Sequence, residues 1–439
     1  MRKALGFLFM GLVLYGVYWF AANRLFDEGS YRKQVAFGSV FVPYGWAYAL
    51  AFLGALVLLV LLYSLLYTAL VNRLQGRRRS PWPLFLQGVT HLFLWVLILL
   101  VYYPVVQVVA ASFDPTNNLF SFRRPDTGFL LVDAKVIPYL PNPSLENYAK
   151  LVEGVVLYPY QVALALLAGL ALLGVGIVGL LRRLLAPEAW MDFWQGRLLF
   201  LMALLVFALA LSLSPRQFTG QGTETKFLLW VRNTFLISGL TGLLAVLLTA
   251  TAGYAFARFR HLPGRYPMLL FFIFVQMFPG FLALVAIYYL LSRLDLLNTF
   301  TGLVLAYSGG IISFGTWVYK GYLESNSPSL EEAAMVDGAT RWQVFTKILL
   351  PLSAPMFVFI FLLQFVGTYS EFVLANLVLT GVESWNVGVG LRSFTTGQFQ
   401  TKWGVFAAAS VLGSLPILFL FYGFQQYFVS GYTAGAVKE

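Results

Sequence analysis

The sequence predicts an all-α integral membrane protein of about ten transmembrane helices, and three observations carry that reading. Of 439 residues, 59% are hydrophobic and only 11% charged, where a soluble domain carries roughly 25% charged residues. Mean hydropathy is +0.78. The apolar residues also fall in runs long enough to cross hydrocarbon, which takes about 20 residues. A soluble chain of this length would divide into about three domains, each needing a charged shell. Eighteen acidic and 29 basic side chains cannot supply those shells.

Ten runs qualify: 4–22, 44–71, 89–112, 159–181, 197–213, 231–257, 266–291, 301–323, 352–379 and 404–429. The first follows Arg2 and Lys3, as a signal peptide would. Its apolar stretch is long for one, and bulky Trp19 and Phe20 precede only Ala-Ala-Asn, so it reads as a retained anchor. Span 44–71 offers only tyrosine, serine and threonine hydroxyls, and 159–181 has no polar side chain from Val162 onward. The latter cannot line a polar pathway, and both read as accessory anchors. Ala165 and Gly169, four apart, can seat a neighbouring helix closely. The run at 197–213 is the shortest.

With the N-terminus inside, the tight basic clusters share one side: Arg73, Arg77, Arg78 and Arg79; then Arg182 and Arg183; then Arg258, Arg260 and Arg265. Cytoplasmic loops carry such excess, and an even number of spans returns the C-terminus to the cytoplasm. The net charge of +11 is therefore read as cytoplasmic loops, and no nucleic-acid partner is expected. Absence of cysteine excludes disulfides, thiolate zinc, Cys-ligated iron–sulfur clusters and a catalytic thiol. The two histidines, His91 and His261, lie far apart at segment ends, so no metal or haem site is expected. No convergent acid, base or nucleophile set occurs, and no G-x-x-x-x-G-K-[ST] phosphate loop. The chain reads as no enzyme and as binding no cofactor of its own.

The most informative stretch is 327–351. Ser329 and Glu332 have the spacing of a capping box, Gly338 can stop the short helix in a left-handed turn, and Thr340 with Gln343 repeats the box. The second helix should carry Trp342, Phe345 and Ile348 on one face, with Pro351 in the first turn of the next membrane helix. These features alone describe a well-capped interfacial loop. The full spacing says more: Glu332-Ala333-Ala334, three residues, Gly338, nine residues, Ile348, one residue, Leu350-Pro351. That pattern resembles the EAA loop of binding-protein-dependent ABC importer permeases. Tyr254-Ala255-Phe256-Ala257-Arg258, Gln276-Met277-Phe278-Pro279, Lys320-Gly321-Tyr322 and the tail from Phe428 to Lys438 extend the resemblance. They are most similar to the smaller permease subunit of maltose/maltodextrin importers, over roughly half the chain, from about residue 229 to the end.

The resemblance implies a six-helix type I permease core formed by 89–112, 231–257, 266–291, 301–323, 352–379 and 404–429. Four extra helices depart from the family pattern. One pair lies in 1–88, and a second interrupts the external loop 113–228; residues 229–439 hold the main permease domain. By the same resemblance Glu332, Ala333, Ala334, Asp337, Gly338, Ile348, Leu350 and Pro351 couple to a separate ATPase subunit dimer, which carries the ATP and Mg. Loop 380–403, with Gly381, Trp385, Gly388, Gly390 and Gly397, is expected to be flexible and to reach into an external solute-binding protein. The tail 431–438 is expected to touch the ATPase. The other implied partners are a second homologous permease completing a heterodimer, membrane lipid, and a sugar whose site belongs mostly to that second permease. The setting is a bacterial plasma membrane, crossed many times.

Glu371 is the acid inside a span. A charge at that depth is costly unless it faces water or a partner, so Glu371 is a pathway candidate, with a buried structural hydrogen bond as the other reading. Gln364 and Asn376 on the same run, and Asn233 and Gln276 near span ends, are further pathway candidates. Related permeases for trehalose, other oligosaccharides or glycerol phosphate share the loop. An ion-coupled secondary transporter would instead call for several intramembrane acids or an inverted repeat.

Overall fold

The computed structural model describes residues 32–33, 40–41, 45–76, 80–116, 138, 140, 142–184, 189–218, 225–259, 261, 263–395 and 401–436. The anchor expected at 4–22 lies outside them, as do Arg77, Arg78, Arg79, Arg260 and Gly397. The described chain is helical apart from one two-residue antiparallel pairing, Arg32–Lys33 (β1) with Val40–Phe41 (β2). It divides into two compact units, residues 1–147 with 402–408, and 148–401 with 409–439.

In the first unit α1 (Gly45–Gln75) packs along α2 (Trp82–Ser112). Gly88 faces Val60 so closely that an added Cβ would collide with it, which explains a glycine in the second turn of this helix. Both helices are apolar all round, as lipid-facing spans are. The far end of α2 is closed by Asn147, whose side-chain amide donates to the carbonyls of Ser112 (3.2 Å) and Asp114 (2.8 Å). Asn147 opens α3 (Glu146–Val152).

The second unit begins with the inserted pair, α4 (Pro159–Leu184) and α5 (Ala189–Ser212), packed against each other. α5 is one helix of 24 residues that takes in all but the last residue of the run expected at 197–213. The open end of the pair is held by two buried glutamines bonded to each other: the Gln217 amide donates to Gln161 at 2.7 Å and the Gln161 amide to Gln217 at 3.3 Å. Each also donates to a backbone carbonyl, Val156 for Gln217 and Ser212 for Gln161.

Next, α6 (Phe227–Arg258) is the most enclosed of the six unbroken candidate spans, with half of an 18-residue apolar stretch buried against 6% in Trp82–Ser112. It packs on α9 (Phe300–Ser325) and α12 (Ala354–Ser370). Small residues permit the approach: a Cβ on Gly253 would stand 2.6 Å from the Tyr319 ring, and one on Gly242 2.8 Å from Phe361.

Two expected spans are broken. The run at 266–291 consists of α7 (Arg265–Met277) and α8 (Gly280–Arg293), meeting at 103°. Phe278 is extended there (φ −70°, ψ 129°) because Pro279 excludes the helical conformation from the residue before it. The run at 352–379 ends as a helix at Ser370; α13 (Val373–Val378) follows after a break at Glu371 and Phe372. The chain then forms α14 (Val387–Arg392) and α15 (Trp403–Ala436). Between α9 and α12 lie α10 (Ser329–Val336) and the segment Arg341–Leu352 (α11), the latter bent 71° from α12. Among the described residues six helices are long and apolar enough to cross a membrane, or eight counting each bent pair as one span.

Candidate functional site

The hairpin of α10 and α11 is built from local sequence rules, with two departures from expectation. Pro328, in the helical region (φ −70°, ψ −7°), is the N-cap of α10, and its carbonyl accepts from the amides of Glu331 and Glu332, both at 3.0 Å. Ser329 is thus already inside the helix, and its amide donates to Ser327 Oγ (3.3 Å). The expected Ser329–Glu332 box is not formed, because proline's preset φ starts the helix one residue sooner.

The other end is as expected. Gly338 has φ +88°; its amide donates to Met335 O (3.1 Å), and the amide of Ala339 to Ala334 O (2.9 Å). This is the double bond of a Schellman turn. The Thr340–Gln343 box is present, with bonds of 2.8 and 3.3 Å.

Beyond it, Val344–Leu349 is a π-helical turn. Five-residue spacing brings Val344, Phe345 and Leu349 inward, whereas Trp342 stays 68% exposed. The stripe expected from Trp342, Phe345 and Ile348 is therefore not one buried face. Leu350 and Pro351 close α11, and the membrane helix begins later, at Ala354.

Along α10 and the turn after it the exposed residues are Ser329, Leu330, Glu332, Ala333, Met335, Val336, Asp337 and Gly338. Ala334 and Ala339 pack partly on the core around Tyr319, Phe345 and Phe357. The sequence reading missed Glu331. Its carboxylate is buried and accepts from Arg258, the last residue of α6, at 2.7 Å from Nε and 2.6 Å from Nη2. Two adjacent glutamates do not reveal which one faces inward; the three-residue spacing of Glu331 and Ala334 is the one signal that could have. Nearby, Arg265 at the start of α7 donates to Phe256 O (2.8 Å) and pairs with Glu324 (3.2 Å), which also holds Lys320 (2.6 Å). A cleft of about 500 Å³ opens beside α10, lined in part by Tyr254, Arg258, Glu324, Glu331, Glu332 and Arg341.

Glu371 stands at the break after α12. Its carboxylate accepts from the Tyr307 hydroxyl and from the amides of Leu374 (2.9 Å) and Ala375 (3.1 Å). It thus closes the first turn of α13 from the residue before the N-cap. Its backbone carbonyl accepts from the Asn386 amide (3.0 Å). Gln364 is half-buried and donates to Tyr307 O (3.4 Å) and Thr368 Oγ1 (3.1 Å). Asn376 accepts from Arg392 at 2.6 Å. The structure therefore gathers Glu371 and Gln364 around Tyr307. Asn233 is elsewhere: fully buried, it donates to the carbonyls of Glu383 (2.7 Å) and Trp385 (2.9 Å). Gln276 is exposed in the last turn of α7, and among the described residues no bond joins it to the other candidates.

Loop 380–395 is pinned down, against the expectation of a flexible glycine-rich connector. Gly390 lies against the Trp230 ring so tightly that a Cβ would overlap it, and Trp385 packs on the same indole, centroids 5.7 Å apart. Trp230 Nε1 donates to Val382 O (2.9 Å), and the amide of Val387 to Thr234 Oγ1 (2.8 Å). Asn298, itself left-handed (φ +59°), accepts from the amides of Thr380 (3.1 Å) and Gly381 (2.9 Å). Gly388 is half-buried beside Phe372. Among the described residues no group of three or more His, Asp or Glu could hold a metal ion.

Comparison with known proteins gives three kinds of likeness. The family described as "Binding-protein-dependent transport system inner membrane component" matches residues 245–433. The maltose/maltodextrin transport system permease protein of Salmonella typhimurium is 43% identical over 238 residues, which cover 52% of this chain and 79% of that one. That of Vibrio vulnificus is 34% identical over 357 residues, 80% of this chain and 95% of its own. The latter match is longer than the half-chain read from the sequence. Among solved structures, a bacterial ABC transporter involved in the import of the acidic polysaccharide alginate superposes with a TM-score of 0.53 at 16% identity, covering 80% of this chain and 99% of that one. At that identity it speaks for the fold alone.

Proposed function

This chain belongs to the family of binding-protein-dependent transport system inner membrane components, and from that premise we propose that it is a permease subunit of an ATP-driven importer of maltose or maltodextrin. The observation that carries the reading is the form of α10: a short helix with Glu332, Ala333, Val336, Asp337 and Gly338 on its open face, fastened underneath by Glu331. Such a surface suits a partner that docks from outside the bilayer, with alanine and glycine allowing close approach and two acids free to accept its hydrogen bonds.

The partner is an ATPase dimer, which holds ATP and Mg; this chain contributes no nucleotide site. A second permease completes the pathway, and a solute-binding protein delivers the sugar to the face carrying loop 380–395. Both termini and α10 lie on the cytoplasmic side, where the basic clusters fall. Closure of the ATPase dimer moves α10, and the helices around α6 follow. Glu371, Gln364 and Asn376 frame the break between α12 and α13 rather than bind sugar by themselves, because the Glu371 carboxylate is already occupied by three donors.

The test is a mild-detergent pull-down of the tagged chain from its native membrane, followed by labelled-maltose uptake in vesicles. Recovery of an ATPase and a second permease, with ATP-dependent uptake competed by maltodextrin, is the expected outcome. Competition by trehalose or glycerol phosphate but not maltodextrin would refute the substrate. Uptake driven by an ion gradient with no ATPase would refute the class.

A further inference from the structure

We propose that Arg258 and Glu331 form the link through which movement of α10 enters the transmembrane helices, deepening the functional reading above and resting on it. Of the residues expected to meet the ATPase on α10 and its turn, Glu332, Ala333, Asp337 and Gly338 are exposed, and Ala334 packs only partly on the core. Among the described residues, the bond from Glu331 to Arg258 is the one side-chain hydrogen bond from α10 to another helix; the other, from Ser327 to Ser329, stays beside its first turn.

The pair has the properties of a rigid link. Both side chains are nearly enclosed, at 15% and 8% exposure, and two guanidinium nitrogens reach the same carboxylate oxygen at 2.7 and 2.6 Å. An exposed ion pair is loose and screened; an enclosed one is costly to separate, since each charge left alone would be buried without a partner. Arginine also presents a planar fork, which fixes direction as well as distance.

What the link pulls on is equally specific. Arg258 terminates α6, the most enclosed of the six unbroken candidate spans. Two residues earlier, the carbonyl of Phe256 is held by Arg265, and Arg265 is held by Glu324 at the end of α9. The end of α6 is therefore tied to α10 on one side and to α7 and α9 on the other. A displacement of α10 cannot be absorbed locally without breaking a buried charge pair, so it is passed to α6. Arg258 and Glu331 are positioning residues: they touch neither sugar nor nucleotide.

The experiment uses the assembled importer, purified with its ATPase and second permease, in liposomes. It reads labelled maltose moved per ATP hydrolysed, alongside co-purification of the ATPase. E331Q and R258Q are expected to lower that ratio about tenfold, within the usual range of coupling between sites, while the ATPase still co-purifies. The charge-exchanged R258E/E331R double variant is expected to recover most of the loss. A wild-type ratio in both single variants overturns the proposal. So does loss of ATPase binding in the single variants that the exchange does not repair, since the pair then only holds the fold. Should the single variants not assemble, R258K keeps the charge but not the fork: a lowered ratio supports the link, and an unchanged ratio overturns it. If the wild-type complex moves no maltose with ATP, the functional reading itself fails; if it does and the variants match it, only the link fails.

Discussion

The turn at Gly338 offers the cleanest test of how the hairpin is specified. Its φ of +88° lies in the left-handed region, and a Cβ placed there meets nothing within 4 Å. Substitution therefore adds no collision, and the whole cost is that of the backbone conformation. For alanine that cost is about 1–2 kcal/mol, which lowers the population of the closed turn about 5- to 30-fold. Asparagine visits this region more readily than other side chains, so Gly338→Asn should cost less than Gly338→Ala, and β-branched Gly338→Val should cost most. Gly338→Asp adds a carboxylate beside Asp337 at the C-terminal end of α10, where a negative charge is unfavourable by about 0.3–1 kcal/mol. The readout is co-purification of the ATPase with the tagged chain, together with ATP-dependent uptake, at matched membrane expression. The expected order is glycine, asparagine, alanine, valine. Equal yields for glycine and valine would refute the argument that this left-handed turn presents the docking face. Asparagine no better than valine would show that volume, not conformation, decides.

Three further outcomes follow from the loops beyond α12. Glu371→Leu removes three hydrogen bonds to a carboxylate and should lower stability in detergent by about 2 kcal/mol, with Glu371→Gln recovering much of it; thermal unfolding followed by size-exclusion chromatography measures this, and normal stability in Glu371→Leu would leave the acid free for the pathway. Gly390→Ala forces a methyl into the Trp230 indole and should cost about 1–3 kcal/mol as overpacking, with faster proteolysis of loop 380–395. Gly309→Ala, where nothing lies within 4 Å, should be harmless in the same assay. Asn298→Gly keeps the left-handed backbone but loses the side-chain acceptor of Thr380 and Gly381, so it should loosen the same loop by about 1–2 kcal/mol, and Asn298→Ala by more, again read by proteolysis.

How much of this was legible in the sequence depends on the range of the interaction. The membrane class follows from composition, a property of the whole chain. The Gly338 turn and the Thr340–Gln343 box follow from contacts three to five residues long, and both are present. The Ser329 box failed at the same range because Pro328 competed for the cap and won. The π-turn at Val344–Leu349 carries no glycine, proline or other local mark, and it rotated Trp342 out of the expected stripe. The bend at Pro279 was marked by its proline, yet hydropathy alone joined the two halves into one span.

The site residues were hardest to read wherever the partner was distant in sequence. Arg258 and Glu331 are 73 residues apart, and each looks locally like an ordinary solvated charge: one an arginine in a basic cluster after an apolar run, the other a glutamate in the first turn of a helix. Only the fold shows that they enclose each other. Glu371 errs in the opposite direction. An acid inside a continuous 28-residue apolar run would be an uncompensated charge, and a pathway role is the reasonable inference. Once the helix ends at Ser370, the same acid sits at a helix start, where two amides and the Tyr307 hydroxyl satisfy it. The chemistry of the side chain is the same in both readings; the position of the helix end decides between them. That end is set by tertiary contacts of Tyr307 and Asn386, 64 and 15 residues away, which no local pattern encodes.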